Sequence, residues 1–245
     1  MTAEEYLGRH FARMGARVVV RAARRRETKV SIDVGKDGSG EMFVIRYAGE
    51  VAAEVLDVQP RMHHLLLMVR DGNEKHKFLL GRDERHWFAA AVPGDSVRDV
   101  RTAIDSLRPT EIERCEAIRQ GEWFFVPESG MNDKDGVILR NEPLSRGRRS
   151  KPHVCAEMIR RGGQTVMVSR QYPTGIGLVK YQNLISCNPG LRWPGWRRMV
   201  HDAEVYVRGE VRHPDHKTIH LGCWHRVFMN REPLAKHALH ITFLD

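Results

Sequence analysis

The sequence predicts an α+β fold, two antiparallel β-rich halves joined by a helical pair. Three observations carry this expectation. β-Branched and aromatic runs alternate with turn residues over the first 94 residues, the apolar period turns helical after Ser96, and strand-like runs resume after Gly121. The expected boundaries are an N-terminal helix plus β-meander at 1–94, a helical connector at 95–119 and a C-terminal α+β domain with a histidine-rich hairpin at 120–245.

Thr2 with Glu5 three residues later forms a capping box, and Tyr6, Leu7, Phe11 and Met14 recur at helical spacing up to Gly15. The runs RVVVRA, KVSIDV, MFVIRY, VAAEVLDV, HHLLLMVR, HKFLLG and HWFAAAV then read as an antiparallel meander of six or seven strands. Their breaks at Gly35–Gly40 and Asp71–Asn73 are turn chemistry. Val97, Val100, Ile104 and Leu107 share one helical face, with Asp99 completing an N-terminal cap and Pro109 ending the helix. Thr110 and Glu113 make a second capping box for a short helix over Glu111 to about Ile118. In the second half, GEWFFVP (Gly121–Pro127) reads as a strand buried on both faces. A helix is expected over His153–Arg161, stopped by Gly162 and Gly163. The strand QTVMVSR, a further element near Leu178–Cys187 and the strands EVYVRGEVRH, HKTIHL and WHRVFM complete the chain.

With 41% hydrophobic and 29% charged residues, 245 residues describe a folded soluble protein. The net charge of +9 favours an anionic partner, most commonly nucleic acid. Cys115, Cys155, Cys187 and Cys223 form no C-x-x-C pair, the start MTAEEYLGRHF lacks the pattern of a signal peptide, and the apolar run Leu65–Val69 is too short for a bilayer. A cytoplasmic protein without membrane contact is expected. Serine-hydrolase, dinucleotide-binding and kinase motifs are absent, which lowers those enzyme classes.

The stretch RHPDHKTIHLGCWHR places His213, His216, His220 and His225 within fifteen residues, Arg212–Arg226. Imidazoles suit proton transfer, and cleavage of RNA through its own 2′-hydroxyl needs a base, an acid and a cation on the phosphate. His216, His220, His225 and Lys217 are the candidates, with His86 in DERHWF beside two carboxylates as another. The histidine spacing matches no established metal motif, so no cofactor is assigned. A divalent metal at His213, His216 and His220 is the lesser alternative, with Asp215 or Asp202 as a brace.

Two stretches suit phosphate or base contact. LSRGRRSKPH offers Arg146, Arg148, Arg149 and Lys151, with Ser150 as an N-cap before the expected helix. LRWPGWRRM interleaves Arg192, Arg197 and Arg198 with Trp193 and Trp196, the mixture that stacks unpaired bases and neutralises phosphates, although tryptophans beside a proline also serve as core anchors. Arg212 and Arg226 extend the basic set. Arg24-Arg25-Arg26 reads as an exposed loop, and an echo between Tyr47-Ala-Gly-Glu-Val and Tyr206-Val-Arg-Gly-Glu-Val, more easily coincidence than a repeat, would make His86 and His225 equivalent.

The function expected from these residues is nucleic-acid binding, with RNA or single strands preferred. The alternatives are a histidine-dependent nuclease, metal-independent or metal-assisted, and a non-enzymatic subunit that meets an acidic protein partner.

Overall fold

The structure, a computed structural model, describes residues 2–22, 30–47, 52–112, 115–145, 151–192 and 195–232. Arg24-Arg25-Arg26, the Gly49-Glu50-Val51 part of the echo, Arg146, Arg148, Arg149, Ser150 and Trp193 lie outside the described residues. Two compact units divide the chain: Met1–Arg114 with the segment that begins at Met229, and Cys115–Phe228.

In the first unit, helix α1 (Ala3–Arg13) starts at the capping box of Thr2 and Glu5. Its buried Leu7 and Phe11 join Phe43, Ile45, Leu65 and Leu67 in one core. β1 (Val18–Ala22), β2 (Val30–Asp37) and β3 (Gly40–Tyr47) form a three-stranded sheet, and β4 (Ala52–Gln59), β5 (His64–Asp71), β6 (Glu74–Asp83) and β7 (His86–Val92) form a four-stranded meander. The turn between Asp37 and Gly40 is tied by Ser39 N–H donating to Asp37 Oδ1 at 2.8 Å. The run Leu65–Val69 is buried on both faces: Leu65, Leu67 and Val69 meet the α1 core, whereas Leu66 with Leu79 meets helix α2 (Val100–Leu107). A strand covered on both sides loses the polar alternation of a solvent-facing one, which is why this segment reads as a continuous apolar run.

The second unit is built on a six-stranded sheet from β8 (Ile118–Gln120), β9 (Trp123–Pro127), β10 (Leu139–Leu144), β11 (His153–Arg161), β15 (Glu204–His213) and β16 (His216–Met229), in the order β10-β11-β15-β16-β9-β8. Between β11 and β15 the chain makes β12 (Gln164–Val168), β13 (Ile176–Gly177), helix α3 (Leu178–Cys187) and β14 (Arg197–His201). β11 and β15 pair as far as Arg161 opposite Glu204, and β12 and β14 resume with Gln164 opposite His201. The two ladders are thus successive parts of one ribbon. Its break is made by Gly162 (φ 67°), Gly163 (φ 85°) and Asp202 (φ 57°). A side chain at 163 would stand 2.8 Å from the His201 carbonyl oxygen, so only glycine fits this crossing.

The expected α+β class with a helical pair joining two halves is incorrect. Sixteen strands in four sheets and only three α-helices make up the described residues, so the fold is β-rich. Three local readings account for the difference. His153–Arg161 is strand β11; a β-bulge between Cys155 and Glu157 leaves Cys155, Met158 and Ile159 buried at a spacing of three and four that mimics a helix. Thr110–Ile112 is a single 3₁₀ turn, Glu113 of the second capping box lies outside the described residues, and Ile118 already begins β8, so the described residues hold no α-helix between Glu111 and Ile118. α2, with Asp99 itself as N-cap to Thr102, packs into the first unit's core rather than forming a connector. The N-terminal runs, expected as a single antiparallel meander of up to six or seven strands, form seven strands in two sheets, and β1 runs parallel to β3, because extended propensity is local whereas pairing order is not.

Candidate functional site

The β15–β16 hairpin closes over Pro214-Asp215 with His213 opposite His216. Further along, Val211 faces Ile219 and Glu210 faces His220, which leaves one extra residue on β16. Directly opposite residues share a face, and a bulge exchanges the faces beyond it. His216 therefore lies with His213, Val211 and Ile219, whereas His220 lies on the reverse side. On β11, Val154 faces Arg212 and Cys155 faces Val211, so His153 comes beside His213 on the face of the hairpin histidines. Three adjacent strands thus align His153, His213 and His216.

The rings form a compact row. Centroids are 4.3 Å apart for His153–His213, 4.6 Å for His213–His216 and 5.8 Å for His153–His216, with interplanar angles of 26°, 33° and 18°. The β8–β9 turn borders the row. Gly121 there has φ 57°, and a Cβ on it would stand 3.0 Å from His216 Nε2 and 3.5 Å from His153 Nε2.

His213 Nδ1 accepts the Asp215 backbone N–H at 3.1 Å, which places its proton on Nε2, 3.3 Å from the Lys151 carbonyl. His153 is 1% exposed and neither ring nitrogen has a hydrogen-bond partner among the described residues. Each unsatisfied buried polar atom costs roughly 1–3 kcal/mol. Burial, with His213 and His216 adding to it, pushes the His153 pKa down to about 3. Burial and then His216 also lower that of His213. At neutral pH the His153 ring is therefore uncharged, with one nitrogen bearing a lone pair and the other a proton.

The other histidines lie apart. His220 has a side chain 72% exposed, 3.7 Å from Glu210. His225 is nine residues beyond His216 on β16, roughly 25–30 Å at the usual strand rise; it is buried, and its Nδ1 meets its own strand's Cys223 carbonyl at 2.8 Å. His86 belongs to the first unit, where Glu41 Oε1 lies 2.6 Å from its Nδ1. It begins a strand at a turn whereas His225 sits within one, so the two are not equivalent places.

Of the cationic candidates, Lys151 is paired to both carboxylate oxygens of Asp215 at 2.7 and 2.8 Å. Arg212 donates to Asn141 Oδ1 at 3.0 Å, and Arg226 pairs with Glu204 at 2.6 Å. Lys217 is exposed, and its carbonyl accepts the Gln120 side-chain amide at 2.6 Å. Trp196 is half-buried, stacked on Tyr172 at 5.5 Å and edge-on to Tyr181 at 5.0 Å, with Nε1 donating to the Leu191 carbonyl. Arg192 belongs to a 3₁₀ turn at Pro189–Arg192. Arg197 and Arg198 lie exposed on β14.

That ribbon extension holds a feature the motif reading missed. Between Glu157 and Asp202 the chain has no Asp or Glu, while Arg160, Arg161, Arg170, Lys180, Arg192, Arg197 and Arg198 supply seven cations. Arg160 pairs with Glu142. Arg161, Arg170, Lys180, Arg197 and Arg198 are exposed and have no ion pair among the described residues. A count of acids along the sequence would have found it. His153 and Gly121 carry no such signal, because only strand pairing brings them to the hairpin.

No family model, curated protein or solved structure matches this chain, so the functional reading rests on the geometry. No helix among the described residues is long and apolar enough to cross a membrane.

Proposed function

We propose that this is a nucleic-acid-binding protein that holds single-stranded RNA or DNA on the acid-free ribbon extension. The observation that carries the reading is the run of seven cations without one carboxylate between Glu157 and Asp202. Five of those cations are exposed on or beside β12, β14 and α3. Cations without an ion pair among the described residues are available to replace condensed counterions on a phosphate chain. The open edges of a small sheet leave room for a strand with splayed bases, which supports single strands over duplex. A reducing, cytosolic setting belongs to the same reading, supported by four free thiols.

The test is binding of end-labelled single-stranded RNA, single-stranded DNA and duplex DNA across a salt series. Affinity is expected to fall linearly on a log–log plot, and the double variant Arg197→Glu/Arg198→Glu to lower the slope by about 1.4, roughly 0.7 for each single-strand phosphate that is no longer neutralised. An unchanged affinity and slope in that variant would overturn the reading.

The histidine row favours metal-assisted cleavage as a second reading over the metal-independent one. Ligand nitrogens of its three histidines lie within 4.8 Å of one another, close enough to share one divalent ion, which would activate a bound water. Denaturing gels of the same mixtures, with chelator or with added divalent metal, report cleavage directly.

A further inference from the structure

We propose that His153, His213 and His216 form a binding site for a divalent transition-metal cation of the zinc class. The inference rests on no part of the nucleic-acid reading. Ligand nitrogens from the three residues lie within 4.8 Å of one another. Three nitrogens at about 2.0–2.1 Å from one tetrahedral zinc stand about 3.4 Å apart, with ring centres about 5 Å apart. The observed centres, at 4.3, 4.6 and 5.8 Å, already bracket that spacing. Near-parallel rings cannot aim three lone pairs at one point, so binding turns the rings about their side-chain torsions and contracts the nitrogens while the strands stay in place.

Independent observations point to a ligand here. His153 is buried with both ring nitrogens unpartnered among the described residues, a state that native interiors avoid unless something fills it. Gly121 withholds a side chain at the place where a Cβ would press on His216 Nε2, at 3.0 Å, and touch His153 Nε2, at 3.5 Å. The proton of His213 is also placed for ligation: coordination through Nδ1 displaces the Asp215 N–H but keeps Nε2–H on the Lys151 carbonyl, the bond to a backbone oxygen that commonly orients a metal-bound imidazole. Coordination through Nε2 would break the hydrogen bond to Lys151 and set an Nδ1–H against the Asp215 N–H. Three neutral ligands leave the metal its full charge and a fourth position for water or an anionic oxygen.

The experiment is titration of the chelator-stripped full chain with cobalt(II), read by visible absorption and then by zinc competition, with the thermal midpoint measured in parallel. One equivalent of cobalt with intense tetrahedral bands, displaced by zinc, is expected, together with a zinc-dependent rise in the midpoint. His153→Ala and His216→Ala are expected to weaken binding at least tenfold, and His220→Ala to leave it unchanged. His153→Ala empties a buried place and risks misfolding, so His216→Ala, at the half-exposed hairpin end, decides if the former does not fold. Absence of saturable binding by the wild type, one-equivalent binding retained by His216→Ala, or equal loss in His220→Ala would each overturn the site.

Discussion

Acidifying the metal-free protein tests the histidine row through folding. His153 titrates at about 3 in the folded chain against an ordinary 6.5, chiefly because burial disfavours the charged ring. As pH falls below 6.5 the unfolded chain takes up a proton that the folded chain refuses. Stability is therefore whole above 6.5 and is lost as pH descends toward 3. The full effect is about 5 kcal/mol, of which about 2 kcal/mol is expressed between pH ~7.5 and pH ~5. The assay is urea unfolding in chelator across that range, followed by tryptophan emission, to which Trp123 and Trp224, both buried in the second unit, contribute. His153→Leu does not titrate, whereas the other ionisable groups are common to both proteins. Wild type should lose about 2 kcal/mol more than His153→Leu across the interval, whatever the variant's stability at neutral pH. Parallel losses would refute the claim that this ring is buried and neutral.

Three further outcomes are expected. Gly121→Ala puts a β-carbon on a residue at φ 57° and 3.0 Å from His216 Nε2, so it should destabilise the second unit by about 1–2 kcal/mol in urea and weaken cobalt binding. Asp99→Ala removes the oxygen that accepts the Thr102 N–H at 2.8 Å and should cost about 1 kcal/mol, measured as a lower unfolding midpoint of the first unit. Leu66→Ala, at a fully buried position between β5 and α2, should cost about 2–5 kcal/mol by chemical denaturation, and a loss under 1 kcal/mol would argue that α2 does not pack there.

What the sequence determined by itself was local. The capping box of Thr2 and Glu5, the Asp37–Gly40 and Asp71–Glu74 turns, the apolar stripe of α2 and the extended character of the N-terminal runs all follow from residues a few positions apart. The charge excess was legible in the same way, as were the histidines that bracket the hairpin turn. Strand β11 was not, because its bulge spaces Cys155, Met158 and Ile159 like a helix. The tertiary structure alone decided which histidines meet. One extra residue on β16 turns His220 away from His216, and pairing of β11 with β15 brings in His153 from sixty residues upstream of His213. The physical reason is that the face a strand residue occupies depends on the register of every ladder between it and its neighbours, and that register is set by long-range pairing.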